Sequence, residues 1–185
     1  EKGVARQLAR KLNSAGDVCT LVFSGSEYQQ ISPTEFTINP NNPSENEQLI
    51  GTFATTSNSV NGVVQCWSTQ AGVDKTINSE ELEKLSFLGC GTTLSFVQAL
   101  VKGGLSQTPR LWLVTCGSQP VPANNPVIPG VIQSSLWGMG KVISLEHPEL
   151  NCVRIDLDPQ QTIEEQAKAL FNEIWSQDKE DQVAW

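Results

Sequence analysis

The side chains that most often transfer protons in enzymes are scarce in this sequence of 185 residues. It contains one histidine, His147, and one tyrosine, Tyr28. A Ser-His-Asp or Cys-His arrangement would have to use His147, which directly precedes Pro148 at the predicted end of a helix. At that position a histidine caps carbonyl groups and complements the helix dipole. Tyr28 lies in a predicted loop, so neither residue indicates a catalytic site.

Two carboxylates and five cysteines are the other groups that could carry chemistry. Asp156 and Asp158 stand at the end of an apolar strand, where the sites of α/β proteins usually form. Pro159 and a helix follow them, so we interpret both as turn and cap residues. The cysteines are Cys19, Cys66, Cys90, Cys116 and Cys152. No two of them have the C-x-x-C spacing of a metal site, and we expect no catalytic or metal-binding residue.

The glycine pairs of this sequence stand in the wrong places for a dinucleotide-binding turn. Such a turn is G-x-G-x-x-G directly after the first strand, so that the backbone approaches a pyrophosphate at a helix N-terminus. The G-x-G pairs here are Gly89–Gly91 and Gly138–Gly140, and both lie inside predicted helices. We interpret them as sites of close helix packing and expect this chain to bind no cofactor.

Apolar runs alternate with helical patterns along the chain. The predicted strands are Val18–Phe23, Glu35–Ile38 (a short edge strand), Gly62–Trp67, Arg110–Thr115 and Cys152–Leu157. The predicted helices are Gly3–Ser14, Ser44–Thr55, Ser79–Gly103, Val131–Glu146 and Thr162–Gln177. The strands are continuously apolar, which is typical of a parallel sheet with helices on both faces. We therefore predict an α/β fold with a doubly wound parallel sheet, as one domain over residues 1–185.

The overall composition excludes several classes of partner. The net charge of −8 argues against nucleic acid, because phosphate binding needs clustered lysine and arginine. The sequence shows no run of about 20 apolar residues, so we expect no membrane-spanning segment. Five cysteines without paired spacing indicate reduced thiols, and we predict a cytoplasmic protein.

The stretch from Pro109 to Pro159 carries an ordered series of motifs: LWLVT-x-G, LWGMGKVISLEHPEL and VRIDLDP. Upstream of it stand GVARQLARKL, GVVQCWS and FLGCGTTLSFVQAL, and EDQVAW closes the chain. From Gly3 to Trp185 these motifs resemble the N-terminal, non-catalytic half of ketoreductase domains in modular polyketide synthases. The resemblance implies a truncated Rossmann-like fold without a cofactor-binding glycine loop.

The resemblance also implies what this half does. In such ketoreductases it packs against a catalytic half, which carries NADPH and a reactive tyrosine, and each half contributes two long helices. In the catalytic half a tyrosine and an asparagine stand four positions apart on the second of these helices. Leu136 and Gly140 take those positions here, and neither transfers a proton. The resemblance therefore implies a structural subdomain that stabilises the catalytic half, or a neighbouring methyltransferase or enoylreductase, during polyketide biosynthesis.

The helices that the resemblance assigns to this contact are Ser79–Gly103 and Val131–Glu146. The expected docking residues are Leu94, Val97, Val101, Leu136, Trp137, Met139 and Val142. A strand precedes the first helix in these ketoreductases, whereas this sequence starts at the helix. We therefore interpret the chain as part of a larger multidomain synthase whose acyltransferase and ketoreductase activities lie elsewhere.

Two other hypotheses stay open at this point. The first is a free-standing flavodoxin-like module that binds a small ligand at the carboxyl ends of the strands. The lack of a glycine loop to cradle phosphate weighs against it. The second is a thiol-dependent enzyme that uses Cys90 or Cys116. The lack of a base beside either cysteine in the sequence weighs against it.

Overall fold

The computed structural model describes residues 3–55, 59–70, 78–121, 130–176 and 180–185. The helices are α1 (Val4–Ser14), α2 (Pro43–Ala54), α3 (Ser79–Ser86), α4 (Thr92–Lys102), α5 (Ser134–Glu146) and α6 (Ile163–Trp175). The strands are β1 (Leu21–Ser24), β2 (Gln29–Ser32), β3 (Glu35–Ile38), β4 (Gly62–Gln65), β5 (Arg110–Cys116), β6 (Val153–Leu157) and β7 (Gln182–Ala184). Each predicted helix and strand has a counterpart among them. Gln177, the predicted end of the last helix, lies outside the described residues.

The strands form two hydrogen-bonded sheets. β4, β5, β6 and β7 follow one another in space, and all three pairs are parallel. β3 lies between β1 and β2, parallel to β1 and antiparallel to β2. The predicted Rossmann-like α/β fold is confirmed. The prediction of Glu35–Ile38 as an edge strand is wrong, because the polar strand β2, which no apolar run indicated, covers its outer side.

Two apolar clusters cover the two faces of the parallel sheet. The first joins α1 and α6 to the strands and includes Val4, Leu8, Val114, Ile155, Ala167 and Leu170. The second joins α4 and α5 to the strands and includes Val97, Leu100, Leu111, Leu113, Leu136 and Ile143. Neighbouring residues of β5 therefore point into different clusters, as successive side chains of a strand do. All five residues of β6 are buried, as expected for a parallel strand covered on both faces.

The long predicted helix is present from Ser79 to Lys102, with a π turn at Phe87–Gly91 between α3 and α4. A π turn leaves carbonyl groups without their usual partners. Here the hydroxyls of Thr92 and Thr93 donate to the carbonyls four residues earlier, at 2.6 and 2.7 Å. The two threonines therefore stabilise the wider turn from within the helix.

Within the described residues, the helix Leu82–Lys102 is long and apolar enough to cross a membrane, on the criteria of length and composition alone. The expectation of no membrane-spanning segment was based on the absence of an unbroken apolar run of about 20 residues, and Glu83 and Lys84 interrupt this helix. On this helix Val97, Ala99 and Leu100 are buried in the cluster that covers the sheet. One face of the helix thus packs on the sheet, while Phe87, Leu94 and Val101 are about half exposed.

The turn after β6 forms as predicted. Asp158 accepts a hydrogen bond from the backbone N–H of Gln160 at 2.8 Å, which closes the turn. Thr162 and Glu165 then form a capping box: the hydroxyl of Thr162 accepts from the N–H of Glu165 at 3.3 Å, and the carboxylate of Glu165 accepts from the N–H of Thr162 at 2.8 Å. These bonds satisfy two N–H groups at the start of α6 and fix where the helix begins.

Candidate functional site

The carboxyl ends of β5 and β6 hold a buried polar cluster around Asp156, which is 1% exposed. Its Oδ1 accepts from the hydroxyls of Thr115, at 2.6 Å, and Ser118, at 2.9 Å. Its two oxygens also accept from the backbone N–H of Ser118, at 3.0 and 2.9 Å, and Oδ2 accepts from the N–H of Gln119 at 2.9 Å. Asp156 therefore fastens the loop after β5 to β6. Its interpretation as a turn or cap residue was wrong, because its partners come from the neighbouring strand.

Helix α5 and the turn before it bind to the same strand end. The indole Nε1 of Trp137 donates to the hydroxyl oxygen of Thr115 at 2.9 Å. The side-chain oxygen of the buried Gln133 accepts from the backbone N–H of Cys116 at 3.0 Å. Both carboxylate oxygens of Asp156 therefore accept hydrogen bonds from groups of this chain. Thr115 bonds to both Asp156 and Trp137, and so links this carboxylate to α5. The cluster holds β5, β6 and α5 together.

This end of the sheet does not fit a dinucleotide. A phosphate cradle needs backbone N–H groups that point at the ligand. Here the N–H groups of Ser118 and Gln119 donate to Asp156, whose negative charge would also repel a phosphate. The pairs Gly89–Gly91 and Gly138–Gly140 both lie inside helices, as predicted. The described N–H donors at this strand end are therefore already engaged.

The two residues considered for acid–base chemistry have structural partners in different parts of the fold. The hydroxyl of Tyr28 lies 3.2 Å from the hydroxyl of Thr52 on α2. The Nδ1 of His147, at the end of α5, lies 3.1 Å from a carboxylate oxygen of Glu149. His147 is the C-cap of α5 as predicted, but it caps the carbonyl of Ile143 with its backbone N–H, at 2.8 Å, while its ring is directed to the carboxylate of Glu149.

The surroundings of the thiols do not support a cysteine nucleophile, which needs a lowered pKa. Burial, with the nearby charge of Asp156, raises the pKa of Cys116 to about 11. Burial raises the pKa of Cys66 to about 12 and that of Cys152 to about 11. The half-buried Cys90 has its Sγ 3.3 Å from the hydroxyl oxygen of Ser135 on α5. Its described partner is thus a hydroxyl group and not a base.

A shallow depression of about 520 Å³ runs along the outer side of α6, lined in part by Lys168, Asn172 and Trp185. It includes no residue of the polar cluster around Asp156. It is therefore separate from the strand ends at which the flavodoxin-like hypothesis places a ligand.

Arg154 of β6 passes beneath α5 at Gly140. Its side chain is 2% exposed, forms an ion pair with Asp181 just before β7, and donates to the hydroxyl of Ser144 at 3.1 Å. A Cβ added at Gly140 would lie 2.7 Å from Cγ and Cδ of Arg154. The prediction that Gly140 permits close packing is confirmed, although its neighbour is a strand and not a facing helix.

Alanine substitutions at the two glycines of α5 should have opposite effects. Gly140→Ala should lower the free energy of unfolding by about 1–3 kcal/mol, because the added methyl group overpacks Arg154 and Leu113. Gly138→Ala is the matched control, since nothing lies within 4 Å of its Cβ position. It should raise the free energy of unfolding by about 0.5–1 kcal/mol through helix propensity. Urea unfolding measures the free energy of unfolding of both variants. An equal decrease in both would contradict the close contact of Gly140 with Arg154.

The seven side chains predicted to dock differ in exposure. Val97 and Leu136 are only 3% and 1% exposed. Their prediction as surface residues is wrong, because both lie on the helix faces that pack against the sheet. About half of the side chain is exposed at Leu94, Val101 and Val142. Trp137 and Met139 are partly buried at the edge of α5.

Exposed residues on the two helices form rows at intervals of seven. One row is Phe87, Leu94 and Val101, each nearly half exposed; the other is Val131, Gly138 and Leu145, with Leu145 82% exposed. Seven residues make close to two α-helical turns, so Leu94 and Val101 share one side of α4, and Gly138 and Leu145 share one side of α5. Phe87 lies in the π turn and Val131 in a short 3-10 turn (Val131–Gln133), and they extend the rows toward the N-terminal ends of these helices. Of these residues, Phe87, Val131 and Leu145 were missed in the sequence analysis, although the seven-residue spacing was visible there.

The two rows are neighbours. Cys90 and Ser135 are in contact. In the sequence Cys90 lies between Phe87 and Leu94 of the first row. Ser135 lies between Val131 and Gly138 of the second. The exposed residues of both rows and the adjacent Val142 are grouped below under one name, the apolar helix face. It comprises Phe87, Leu94, Val101, Val131, Gly138, Val142 and Leu145.

Solved structures define the class of this fold. The chain superposes over 97% of its length, with a TM-score of 0.70 and 25% identity, on a C2-type ketoreductase from a modular polyketide synthase, of which it covers 35%. Over 99% of its length it matches the adenylation, ketoreductase and pseudo-Asub structure of a keto acid-selecting NRPS module, with a TM-score of 0.84 and 21% identity, and covers 15% of that chain. The fold is thus that of a ketoreductase-like α/β module.

The sequence identifies the family. Residues 3–176 match the family described as Beta-ketoacyl synthase-like, N-terminal, and the chain belongs to it. One relative, with 33% identity over 90 residues, is a component of the phenolphthiocerol/phthiocerol polyketide synthase of Mycobacterium tuberculosis. That match covers 49% of this chain and only 4% of the much longer relative. The resemblance to the ketoreductases of polyketide synthases is therefore confirmed.

Proposed function

We propose that this chain is the non-catalytic structural half of a ketoreductase in a modular polyketide synthase, and that it stabilises the catalytic half by docking on it. The observation that carries the proposal is the apolar helix face. Its described apolar side chains are between 44% and 82% exposed in the chain alone. Large apolar side chains left exposed on two helices that are in contact are typical of a partner site, and their burial is favourable.

The shape of the apolar helix face fits a partner with two long helices. Rows at intervals of seven on two neighbouring helices are the pattern by which helices pack in four-helix arrangements. Gly138 lies in the middle of its row with no atom within 4 Å of its Cβ position, which leaves room for a close approach. The catalytic half of a ketoreductase is the partner we propose. A neighbouring methyltransferase or enoylreductase of the same polypeptide is the alternative partner.

The chemistry is proposed to lie in the partner. Leu136 and Gly140, which the resemblance aligns with the tyrosine and asparagine of the catalytic half, are both buried. The N–H donors at the end of β5 are engaged by Asp156. NADPH and the reactive tyrosine therefore belong to the catalytic half, and the other activities belong to the remaining domains of a multifunctional, cytoplasmic synthase.

A charged substitution on the apolar helix face should weaken docking without unfolding this half. Val142→Asp buries a carboxylate in the proposed contact, and we expect a loss of about 2 kcal/mol of docking free energy, or about thirtyfold in affinity. Calorimetric titration of this chain with the catalytic half, expressed as a separate polypeptide, measures it. The ketoreductase activity of the mixture should fall in parallel.

Val18→Asp is the matched control, because Val18 is 80% exposed and lies ahead of β1, outside the apolar helix face. It should leave docking and activity unchanged. Equal weakening by both variants would contradict the proposed surface. An aspartate near the end of a helix costs up to about 1 kcal/mol by itself. A clearly larger loss of stability in the isolated Val142→Asp chain would also contradict the proposal, since a residue that only docks does not stabilise the unbound half.

A further inference from the structure

Asn61 is the asparagine of this sequence that stands directly before a glycine, Gly62. In such a pair the backbone nitrogen of the glycine can attack the side-chain amide carbon of the asparagine, because glycine has no side chain to hinder the approach. Both residues are exposed, Asn61 just ahead of β4 and Gly62 as its first residue. Water therefore reaches the pair, and water is the co-reactant that completes this reaction.

The backbone nitrogen of Gly62 takes no part in the ladder between β4 and β5. The N–H of Arg110 donates to the carbonyl of Asn61 at 3.0 Å, and Gly62 lies directly opposite Arg110. Backbone groups alternate along a parallel strand, so the N–H of Gly62 points away from β5. The bond between Arg110 and Asn61 is the first of the ladder, and terminal bonds open most readily. The peptide group of Gly62 therefore has the freedom to turn toward the side chain of Asn61.

A neighbouring hydroxyl polarises the side-chain amide of Asn61. The hydroxyl of Ser59 donates to its Oδ1 at 3.2 Å. When a nucleophile attacks the amide carbon, negative charge develops on this oxygen, and a hydrogen-bond donor already in place stabilises that charge. Ser59 therefore favours the attack by the nitrogen of Gly62.

The packing of Trp112 keeps a glycine at position 62. A Cβ added to Gly62 would lie 2.5 Å from Cζ3 of Trp112, whose side chain is buried. On the same indole lies the guanidinium of Arg110, with its Cζ 5.2 Å from the ring centroid. A larger residue, which would hinder the attack on Asn61, does not fit here. For the same reason the start of β4 has no room for an additional backbone atom.

We propose that Asn61 is a modification site at which isoaspartate forms without an enzyme, and that this product detaches the start of β4 from β5. The nitrogen of Gly62 gives up its proton and bonds to the side-chain amide carbon of Asn61. The carbon–nitrogen bond of the side-chain amide breaks, and its nitrogen leaves with that proton as ammonia. Water then adds to one carbonyl of the resulting succinimide and breaks its bond to the ring nitrogen. The products are aspartate and isoaspartate, and nothing is oxidised or reduced.

The two products affect β4 differently. Aspartate keeps the course of the main chain and adds a negative charge. In isoaspartate the main chain runs through the former side chain, so a CH₂ group is inserted ahead of Gly62. The carbonyl that accepted from Arg110 then becomes a free carboxylate outside the main chain. The first bond of the ladder is lost, and Gly62 is displaced against Trp112.

Peptide mapping by mass spectrometry, after prolonged incubation of the chain at mildly alkaline pH, tests the modification. The side-chain amide of Asn61 should be lost, and an isoaspartyl methyltransferase should methylate the product. Asn13 is the internal control and should stay intact, because the N–H of the following Ser14 is held within α1. Ser59→Ala should slow the loss by about 2–5-fold, the value of one hydrogen bond. Asn61→Gln should abolish the methylation, because the longer side chain closes a ring far more slowly.

Amide hydrogen exchange of the isoaspartyl fraction, separated by ion exchange, tests the effect on the sheet. The amide of Arg110 should exchange about tenfold faster in this fraction than in the unmodified chain, since its acceptor is displaced. Asn61→Asp is the matched control, because it adds the same charge without the inserted CH₂ group. Its Arg110 amide should exchange as slowly as that of the unmodified chain.

Two results would overturn the proposal. Loss of the amide at Asn61 no faster than at Asn13 would show that the pair with Gly62 is not a modification site. Unchanged exchange of the Arg110 amide in the isoaspartyl fraction, or an equal increase in Asn61→Asp, would show that the inserted group does not detach β4. The inference does not depend on docking at the apolar helix face, and Val142→Asp should leave both measurements unchanged.

Discussion

Replacing Asp156 with alanine should lower the free energy of unfolding by about 3–5 kcal/mol. The substitution leaves the N–H groups of Ser118 and Gln119 without their acceptor. It also removes one acceptor from the hydroxyls of Thr115 and Ser118, which keep their contact with each other. A buried donor without a partner costs about 1–3 kcal/mol, and water replaces the carboxylate only in part. The loss of stability should extend to α5, because Trp137 of this helix donates to Thr115, one of the partners of Asp156.

The matched control is Asp158→Ala, two residues along the same segment. Asp158 accepts one hydrogen bond, in an exposed turn, so its loss should cost only about 0.5–1 kcal/mol. Thermal unfolding should show a drop of roughly 10 °C for Asp156→Ala, at about 2–4 °C per kcal/mol for a chain of this size. Similar drops in both variants would show that the cluster around Asp156 does not fasten the loop after β5.

Replacing Asp181 with alanine should cost about 2–3 kcal/mol, because it leaves the buried guanidinium of Arg154 without its anion. Breaking a fully buried ion pair costs about 3–5 kcal/mol. The smaller value applies here because the side chain of Asp181 is 58% exposed and water reaches it. The loss should loosen β7, which follows Asp181 directly, and hydrogen exchange at Val183 reports it.

A second substitution tests the cause of this loss. Arg154→Met removes the charge and keeps an unbranched apolar stem over Gly140. In the Arg154→Met background, Asp181→Ala should cost less than about 0.5 kcal/mol, since no buried cation remains. If Asp181→Ala lowers the free energy of unfolding as much in the Arg154→Met background as in the natural chain, Asp181 does not stabilise the fold through its ion pair with Arg154.

The contribution of Asp181 should also depend on pH. Partial burial acts to raise its pKa, but the hydrogen bond and charge of Arg154 outweigh this and hold the pKa of Asp181 below its ordinary value of about 3.9. Because the folded-state pKa is the lower one, the stabilisation is complete above the unfolded-state pKa and is lost as pH falls through the folded-state pKa. The difference in free energy of unfolding between the natural chain and the Asp181→Ala variant should therefore become smaller below about pH 4.

The strongly apolar elements were predictable from sequence, and the short polar ones were not. β5, β6 and the long helix carry apolar runs or apolar stripes, and each was found where expected. β2 (Gln29–Ser32) holds a single apolar residue, and β7 (Gln182–Ala184) is only three residues long, too short for a pattern to show. They form because β3 and β6 offer them a strand edge. That is a property of the assembled sheet, and local sequence does not carry it.

The candidate site was predictable only in part, for two physical reasons. Apolar spacing locates a helix but does not say which side of it meets the sheet, so Val97 and Leu136 were placed on the surface although both are buried. The partners of Asp156 lie 38 and 41 residues away in the sequence. Only the pairing of β5 with β6 brings Asp156 beside Thr115 and Ser118.

The π turn at Phe87–Gly91 determines how long a contact the apolar helix face can make. One extra residue in a turn rotates everything upstream by about 100° relative to the helix that follows. The residues seven and eight positions before Phe87 are Glu80 and Ser79, both exposed and polar, so the apolar row ends within the turn in either register. From Phe87 to Val101 the row measures only about 21 Å, and a partner helix of about four turns is long enough to cover it.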